Sequence, residues 1–395
     1  MNSAIIPQFP VKLPGSFWAM VTFFNPLGHK NKYENYRLFR DNSKRQGLNL
    51  LAVELAFDDD PFTLKKDIDA EILIQVRGTR EKNLMWQKER LLNIGLGRLP
   101  QDCDKVCWAD CDIIFKNDDW IKETSGLLEK YVAVQPFEYA AWLPKGVYDL
   151  GEYELEKLEI GRMENQKYPG HSYKIINNMT IFGATGFAWV MRKALTRQHL
   201  FYENALVGGA DNIMAHSFMN GKIPDQRAVR LFSTNLMKAD QDMYAAKVYE
   251  ETQGSVYYTN GSILHLWHGD SRNRLYGRRN EIIPLFAFDL SRDIRIGSND
   301  LYEWSSDKPD LHKAVREYFE IRDEEGKGSV LVPLIIDELE LTTKRLDKLE
   351  FTKKRLKNIE TSHTYRISLK LKRIYETMIP SKKMRSFIWR LLKRK

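Results

Sequence analysis

Apolar residues fall in short, nearly unbroken blocks through the first third of the chain, separated by polar segments with helical spacing. Phe17 to Phe24 (F-W-A-M-V-T-F-F) predicts a buried strand closed by the turn Asn25-Pro26-Leu27-Gly28. Tyr33 to Gln46 sets Tyr36, Leu38 and Phe39 among polar residues and predicts a helix. Leu48–Phe57 and Ile72–Val76 predict two more strands. Leu84–Leu96 predicts a helix with Leu84, Trp86, Leu91, Leu92 and Ile94 at its apolar positions. Val106–Phe115 predicts the next strand. Strands alternating with helices imply an α/β protein with a mainly parallel sheet flanked by helices. In such sheets ligands bind at the carboxyl ends of the strands.

The alternation loosens downstream. Val132–Pro136 predicts another strand, and Lys145–Asn178 a polar, aromatic loop. Phe182-Gly-Ala-Thr-Gly-Phe-Ala-Trp-Val-Met-Arg reads as a glycine-punctuated turn entering a strand. Helices are expected over Arg192–Leu200 and Ile213–Phe218, and a strand from Ser262 that ends at Gly269. Ser291 to Glu325 is expected to form peripheral helices. From Leu339 the pattern changes: Leu339, Leu346, Leu349 and Leu356 repeat at seven, three and seven, and Lys353 breaks the seam, which allows at most a short coiled coil. The expected domains are residues 1–290, a peripheral helical extension 291–338, and a basic amphipathic tail 339–395.

Charge sharpens that division. Leu341 to Lys395 holds 18 Lys and Arg against 4 Asp and Glu, a net of +14, while the preceding 340 residues hold 43 against 49, a net of −6. A basic tail on a mildly acidic body implies an anionic partner for the tail. Its end, Ser381-K-K-M-R-S-F-I-W-R-L-L-K-R-K, interleaves cations with Met384, Phe387, Ile388, Trp389, Leu391 and Leu392. That composition suits a helix in an anionic membrane interface; a helix packed on the body or a solvated basic tail is the alternative. No apolar run reaches eighteen residues, so no spanning helix is expected. The first ten residues lack the basic and apolar regions of a secretory signal. Cys103, Cys107 and Cys111 are odd in number and confined to one segment, and they are read as small buried thiols in a reducing compartment.

The chemistry concentrates at Lys105–Phe115 (K-V-C-W-A-D-C-D-I-I-F). Asp-x-Asp also occurs at Asp58/Asp60, Asp67/Asp69, Asp102/Asp104 and Asp240/Asp242, but in polar surroundings. Asp110 and Asp112 instead end an apolar run, where buried carboxylates are costly without a counter-charge. Residues two apart on a strand share a face, so both carboxylates are expected to converge on one hard divalent cation, Mn²⁺ or Mg²⁺.

The order of these elements resembles the GT-A glycosyltransferases, nucleotide-sugar enzymes with a DxD motif on a Rossmann-like mainly parallel sheet. The resemblance covers about Phe17 to Arg279. It is carried by Trp86-Gln-Lys-Glu-Arg-Leu-Leu-Asn, Trp108-Ala-Asp-Cys-Asp-Ile-Ile-Phe, Gly183-Ala-Thr-Gly-Phe-Ala-Trp, Gly208-Gly-Ala-Asp-Asn and His265-Leu-Trp-His-Gly. It implies that Asp112 ligates the metal directly and that Asp110 reaches the metal or the ribose. His265 or His268 would complete the shell. Arg272, Arg274, Arg278 and Arg279 would clamp phosphates. Asp211 would act as the base of an inverting transfer, or would only cap the helix that follows it. Many inverting relatives carry Glu-Asp where this chain has Ala210-Asp211.

Thr22, Phe23 and Asn25 are expected on the nucleobase. Gln75, Val76 and Arg77 are expected on base or ribose, and Lys88, Glu89 and Asn93 at the donor site. Gly186, Phe187, Trp189, Gly208 and Gly209 are expected at the acceptor, the glycines by close backbone approach. The resemblance implies transfer from a nucleotide-diphosphate sugar, taken as a UDP-sugar, to a glycan or lipid-linked acceptor in cell-surface polysaccharide synthesis. The expected location is the cytoplasmic face of the membrane, with self-association through the tail and no nucleic-acid partner. Rival readings are a retaining GT-A enzyme, a sugar nucleotidyltransferase, and a non-catalytic glycan-binding scaffold.

Overall fold

The apolar blocks do become strands. The computed structural model describes residues 11–151, 185–198, 201–223, 235–269, 279–326 and Lys370. β1 (Ser16–Phe24), β2 (Asn49–Phe57), β3 (Ile72–Gly78) and β4 (Cys103–Ala109) pair in parallel in the order β3-β2-β1-β4. The seven-stranded sheet continues through β8 (Ala188–Arg192), which runs antiparallel between β4 and β6 (Ala133–Gln135). It ends with β9 (Val256–Tyr258), parallel to β6. The protein is therefore mixed α/β with a mainly parallel central sheet and flanking helices.

Period-two alternation sends the strand side chains to two cores. Met20, Leu51, Val53, Val106 and Trp108 enter one, covered by α3 (Lys88–Leu96), α6 (Ala210–Asn220), α7 (Asn235–Thr252) and α10 (Pro309–Ile321). Ala19, Val21, Leu50, Ala52 and Cys107 enter the other, covered by α1 (Lys30–Arg45) and α4 (Trp120–Leu128). The short α2 (Arg80–Asn83) and α5 (Lys193–Gln198) follow β3 and β8 respectively. All three cysteines are free thiols.

Three expectations are corrected. Val106–Phe115 is not one strand. β4 stops at Ala109, residues 110–112 turn, and β5 (Ile113–Phe115) joins a separate sheet, antiparallel to β10 (Ser262–His265), whose other neighbour is β7 (Tyr139–Trp142). Leu84–Leu96 is helical only from Lys88. Asn83 ends α2, its side chain tied to the backbone at Thr79 and Tyr302, and the break delivers Trp86, whose N–H donates to the Leu206 carbonyl at 3.0 Å. Residues 291–325 are not all helical. After the one-turn α8 (Ile282–Leu285) and α9 (Leu290–Asp293), β11 (Ile294–Ile296) and β12 (Tyr302–Trp304) form a hairpin before α10. The extension beyond 290 also belongs to the main compact unit, Met1–Lys327; the second unit is Gly328–Lys395. The expected tail, 339–395, lies outside the described residues apart from the helical Lys370, as do residues 152–184, which include Gly183 and most of the loop expected over Lys145–Asn178.

Candidate active site

β1 and β4 are neighbours in the sheet, but the chain leaves β1 toward β2, on the opposite side from β4. The crevice at their carboxyl ends is a topological switch point, where open α/β sheets hold ligands. A cavity of about 360 Å³ occupies it. Thr22 and Phe23 enter it from β1, Asp110 and Asp112 from the turn after β4, and Asp211 from α6.

Backbone bonds fix the turn that carries the aspartates. The Asp110 N–H donates to the Phe187 carbonyl at 2.6 Å, and the Asp112 carbonyl accepts from Leu266 N–H at 2.8 Å. Leaving the strand separates the two carboxylates, so the same-face argument does not hold. Asp110 pairs with Lys88 across the cavity wall. Asp112 turns to the loop after β10, with Oδ2 3.1 Å from His268 Nε2 and Oδ1 3.8 Å from His265 Nε2. The two Nε2 atoms are 3.0 Å apart.

One carboxylate oxygen and two imidazole nitrogens thus lie within 4.8 Å of one another. Adjacent ligands of an octahedral ion with bonds of 2.0–2.1 Å are about 3 Å apart. Mixed carboxylate and imidazole donors suit a borderline divalent ion such as Mn²⁺. The residues fit a metal, and both histidines belong to the set. Their geometry is prepared by packing: the His265 ring stands edge-on to Phe187 at 5.2 Å and Trp142 at 5.7 Å between centroids. Phe187 adopts φ of +73°, an αL conformation unusual outside glycine, and its carbonyl is the acceptor that holds Asp110.

Asp211 does not cap α6. Gly209 is the cap residue, in a left-handed conformation at φ 102°, and Asp211 lies in the first turn. Its carboxylate faces Thr185 Oγ1, which donates to Oδ2 at 3.4 Å. A Cβ on Gly186 would lie 2.9 Å from that oxygen, so glycine there makes room for the carboxylate.

Cations rim the same cavity. The Tyr318 hydroxyl accepts from Arg279 at 3.1 Å and from Arg322 at 2.9 Å. Arg322 lies over the Trp86 ring and pairs with buried Glu324, which also takes Lys32 at 3.0 Å. Burial works to raise the Glu324 carboxyl, but Lys32, Arg322 and His268 outweigh it and hold it well below the carboxylate range. Burial likewise works to lower Lys88, while Asp110 and Glu89 keep it above the usual lysine value and charged.

Several expected site residues lie elsewhere. Gln75 donates to Glu54 and the Leu64 carbonyl, and Arg77 to the carbonyls of Asp58 and Asp60; both buttress the β2–β3 edge. Asn25 bonds the His29 backbone and shapes the β1–α1 turn. Asn93 ties down Phe201 and Glu203. Trp189 is a core residue, packed on Phe218, whose indole holds the Thr185 carbonyl. Gly208 lies behind the wall against Trp86. Arg272, Arg274 and Arg278 are outside the described residues. Sequence reasoning missed Lys32, Thr185, Arg322 and Glu324. Trp86 is visible in the sequence as part of a motif, but its apolar spacing points to a helix rather than to the cavity.

No family model and no curated protein matches the sequence. Solved structures are similar to it at low identity. Glucosyl-3-phosphoglycerate synthase from Mycobacterium tuberculosis, in complex with Mn²⁺, UDP and phosphoglyceric acid, is 11% identical over 74% of this chain and 88% of its own, with a TM-score of 0.35. The catalytic domain of Drosophila β1,4-galactosyltransferase 7, in complex with xylobiose, is 14% identical over 50% of this chain, with a TM-score of 0.26; the alignment spans 58% of that domain. The 4-diphosphocytidyl-2C-methyl-D-erythritol synthase of Anaerococcus prevotii is 14% identical over 63% and 88%, with a TM-score of 0.29. At these scores the likeness carries no residue role and no reaction. Among solved structures, this chain is similar to a galactosyltransferase domain and to two synthases, one of them in complex with Mn²⁺ and UDP.

Proposed function

We propose that the protein is a metal-dependent GT-A glycosyltransferase that moves a sugar from a nucleotide-diphosphate donor, a UDP-sugar, to a hydroxyl of a glycan or lipid-linked acceptor with inversion. One observation carries the reading: the Asp112–His265–His268 cluster opens on the cavity that also holds the Lys88–Asp110 pair and Asp211. Asp112, His265 and His268 would hold the ion, Mn²⁺ or Mg²⁺. When bound, such an ion supplies positive charge where the leaving diphosphate becomes negative. Lys88, charged beside Asp110, supplies a second positive centre. Asp211 takes the proton of the acceptor hydroxyl as its oxygen attacks the anomeric carbon. The bond from that carbon to the diphosphate oxygen breaks, and the diphosphate leaves with the electron pair. Thr185 bonds the Asp211 carboxylate and Gly186 leaves room for it.

A screen of nucleotide sugars with Mn²⁺, with and without chelator, tests the proposal. Release of nucleoside diphosphate from at least one donor, suppressed by chelator, is expected. No release from any donor would count against it, and pyrophosphate release from a nucleoside triphosphate and a sugar phosphate would instead support the nucleotidyltransferase reading.

The proposal places the enzyme on the cytoplasmic membrane face in surface-polysaccharide synthesis, held by residues 339–395. Their net charge and interleaved apolar residues support this. No helix among the described residues is long and apolar enough to cross a membrane. The full chain should float with vesicles containing phosphatidylserine and fall off as salt rises, whereas a chain ending at Lys327 should not float. Equal flotation of both would remove the tail from the account.

A further inference from the structure

Glu89 is a carboxylate of this cavity to which the transfer chemistry gives no task. It sits in the first turn of α3, is 3% exposed, and shares the cavity wall with Lys88 and Asp211. A buried carboxylate is costly unless compensated, and the common compensation is an ion pair. Glu89 has instead a neutral donor: Trp86 Nε1 bonds Oε2 at 3.1 Å, while Lys88, next to it in the chain, pairs with Asp110. Burial pushes the Glu89 carboxyl up to about 7, against the pull of Lys88, and the charges of Asp211 and Asp110 add to the rise. A glutamine would accept the same indole bond and would be less costly to bury, whereas the acid is favoured by the helix N-terminus and by Lys88.

The position is also rigid. Trp86 is bonded through its backbone to Leu206, and its ring packs so closely on Gly208 (φ +86°) that a Cβ there would lie 3.1 Å from it. The residue that holds Glu89 is thus locked to the loop that delivers Asp211. A carboxyl group that stays partly protonated at neutral pH both accepts and donates hydrogen bonds, which matches a hydroxyl, itself donor and acceptor.

We propose that Glu89 is a specificity-determining residue that binds a sugar hydroxyl in this cavity, beside Asp211. The proposal rests on the glycosyl-transfer reading above. A site built to bond a hydroxyl discriminates strongly against rings that lack it. The hydroxyl belongs either to the donor sugar or to the acceptor sugar, and the two are separable.

The test compares wild type, Glu89→Gln and Glu89→Leu as full-length chains. Glu89→Gln keeps the volume and the acceptor for Trp86, so its fold is preserved. UDP and a panel of UDP-sugars are titrated with Mn²⁺; donor hydrolysis is measured without acceptor, and transfer with mono- and disaccharide acceptors. If Glu89 reads the donor, UDP affinity stays constant and the UDP-sugar affinity of Glu89→Leu falls about tenfold, the effect of one lost hydrogen bond to a charged or strongly polar group. If it reads the acceptor, donor hydrolysis stays constant and the acceptor KM rises by a similar factor. Unchanged UDP-sugar affinity, hydrolysis and acceptor KM in both variants would overturn the proposal. Should wild type bind neither UDP nor any UDP-sugar, the transferase reading fails first. Saturation-transfer NMR with free glucose, galactose and N-acetylglucosamine then decides for Glu89. A sugar signal that is present with wild type and vanishes with Glu89→Leu sustains it; no signal with wild type, or the same signal with both proteins, overturns it.

Discussion

Asp112→Ala is expected to remove Mn²⁺-dependent release of nucleotide from the donor, a loss of about 10²–10³-fold, on the scale of deleting a principal electrostatic group from an active site. Asp112 is the sole carboxylate of the three-residue cluster; without it only two imidazoles remain, and the negative charge that would offset a divalent cation is gone. The turn itself should survive, because its fixed points are backbone atoms: the Asp110 N–H on Phe187 and the Asp112 carbonyl on Leu266. Loss of activity with an unchanged melting temperature would therefore report on the ion. Mn²⁺ binding followed by electron paramagnetic resonance gives the direct measurement. A variant that still binds Mn²⁺ like wild type and still hydrolyses donor would eliminate the cluster as the metal site. Of the two aspartates of the turn, Asp110 should be the more tolerant: Asp110→Ala leaves the three ligands in place and instead releases Lys88 from its partner.

The second large effect is expected at Asp211. Removing a positioned general base costs 10²–10⁴-fold, so Asp211→Asn should lower transfer by roughly that factor while leaving Mn²⁺-dependent UDP-sugar affinity close to wild type. The separation follows from position: Asp211 sits on α6 beside Thr185 and is not one of the three residues of the Asp112–His265–His268 cluster. The product should carry the opposite anomeric configuration to the donor, readable by NMR of the first-formed linkage. Retained configuration would exclude Asp211 as the base even if the transferase reading stands.

These residues were legible in the sequence because each sits beside a local signal. Asp110 and Asp112 end an apolar run, Asp211 follows a glycine pair, and His268 precedes a glycine. The strands before them were legible for a similar reason: residues buried on both faces of a parallel sheet leave continuous apolar blocks. The division of labour between the two aspartates was not. A strand rule placed them on one face, but the chain changes sheets between them, and sheet membership is decided by β10, some 150 residues later.

Gln75, Arg77 and Asn93 failed for another reason. Polar residues at the ends of elements have backbone groups to satisfy nearby, and these three do so. The hairpin after Asp293 had left a trace in Ile294-Arg-Ile-Gly-Ser-Asn-Asp-Leu-Tyr-Glu-Trp, two β-rich runs around a turn that includes Asp300 at φ 62°. Arg322 and Glu324 left none, because their partners Trp86 and Lys32 are more than 200 residues away.

That last separation sets an order of events during synthesis. When the ribosome has made Gly269, both aspartates, Asp211 and both histidines already exist, yet the cavity wall is open. Lys32, near the start of the chain, waits for Glu324, and the Asn31 side chain for the Glu324 carbonyl. Phe24 waits for Phe319, and Trp86 for Arg322. Asp112, His265 and His268 are translated well before the wall that shields them, so a nascent chain carries these side chains before it has the enclosure.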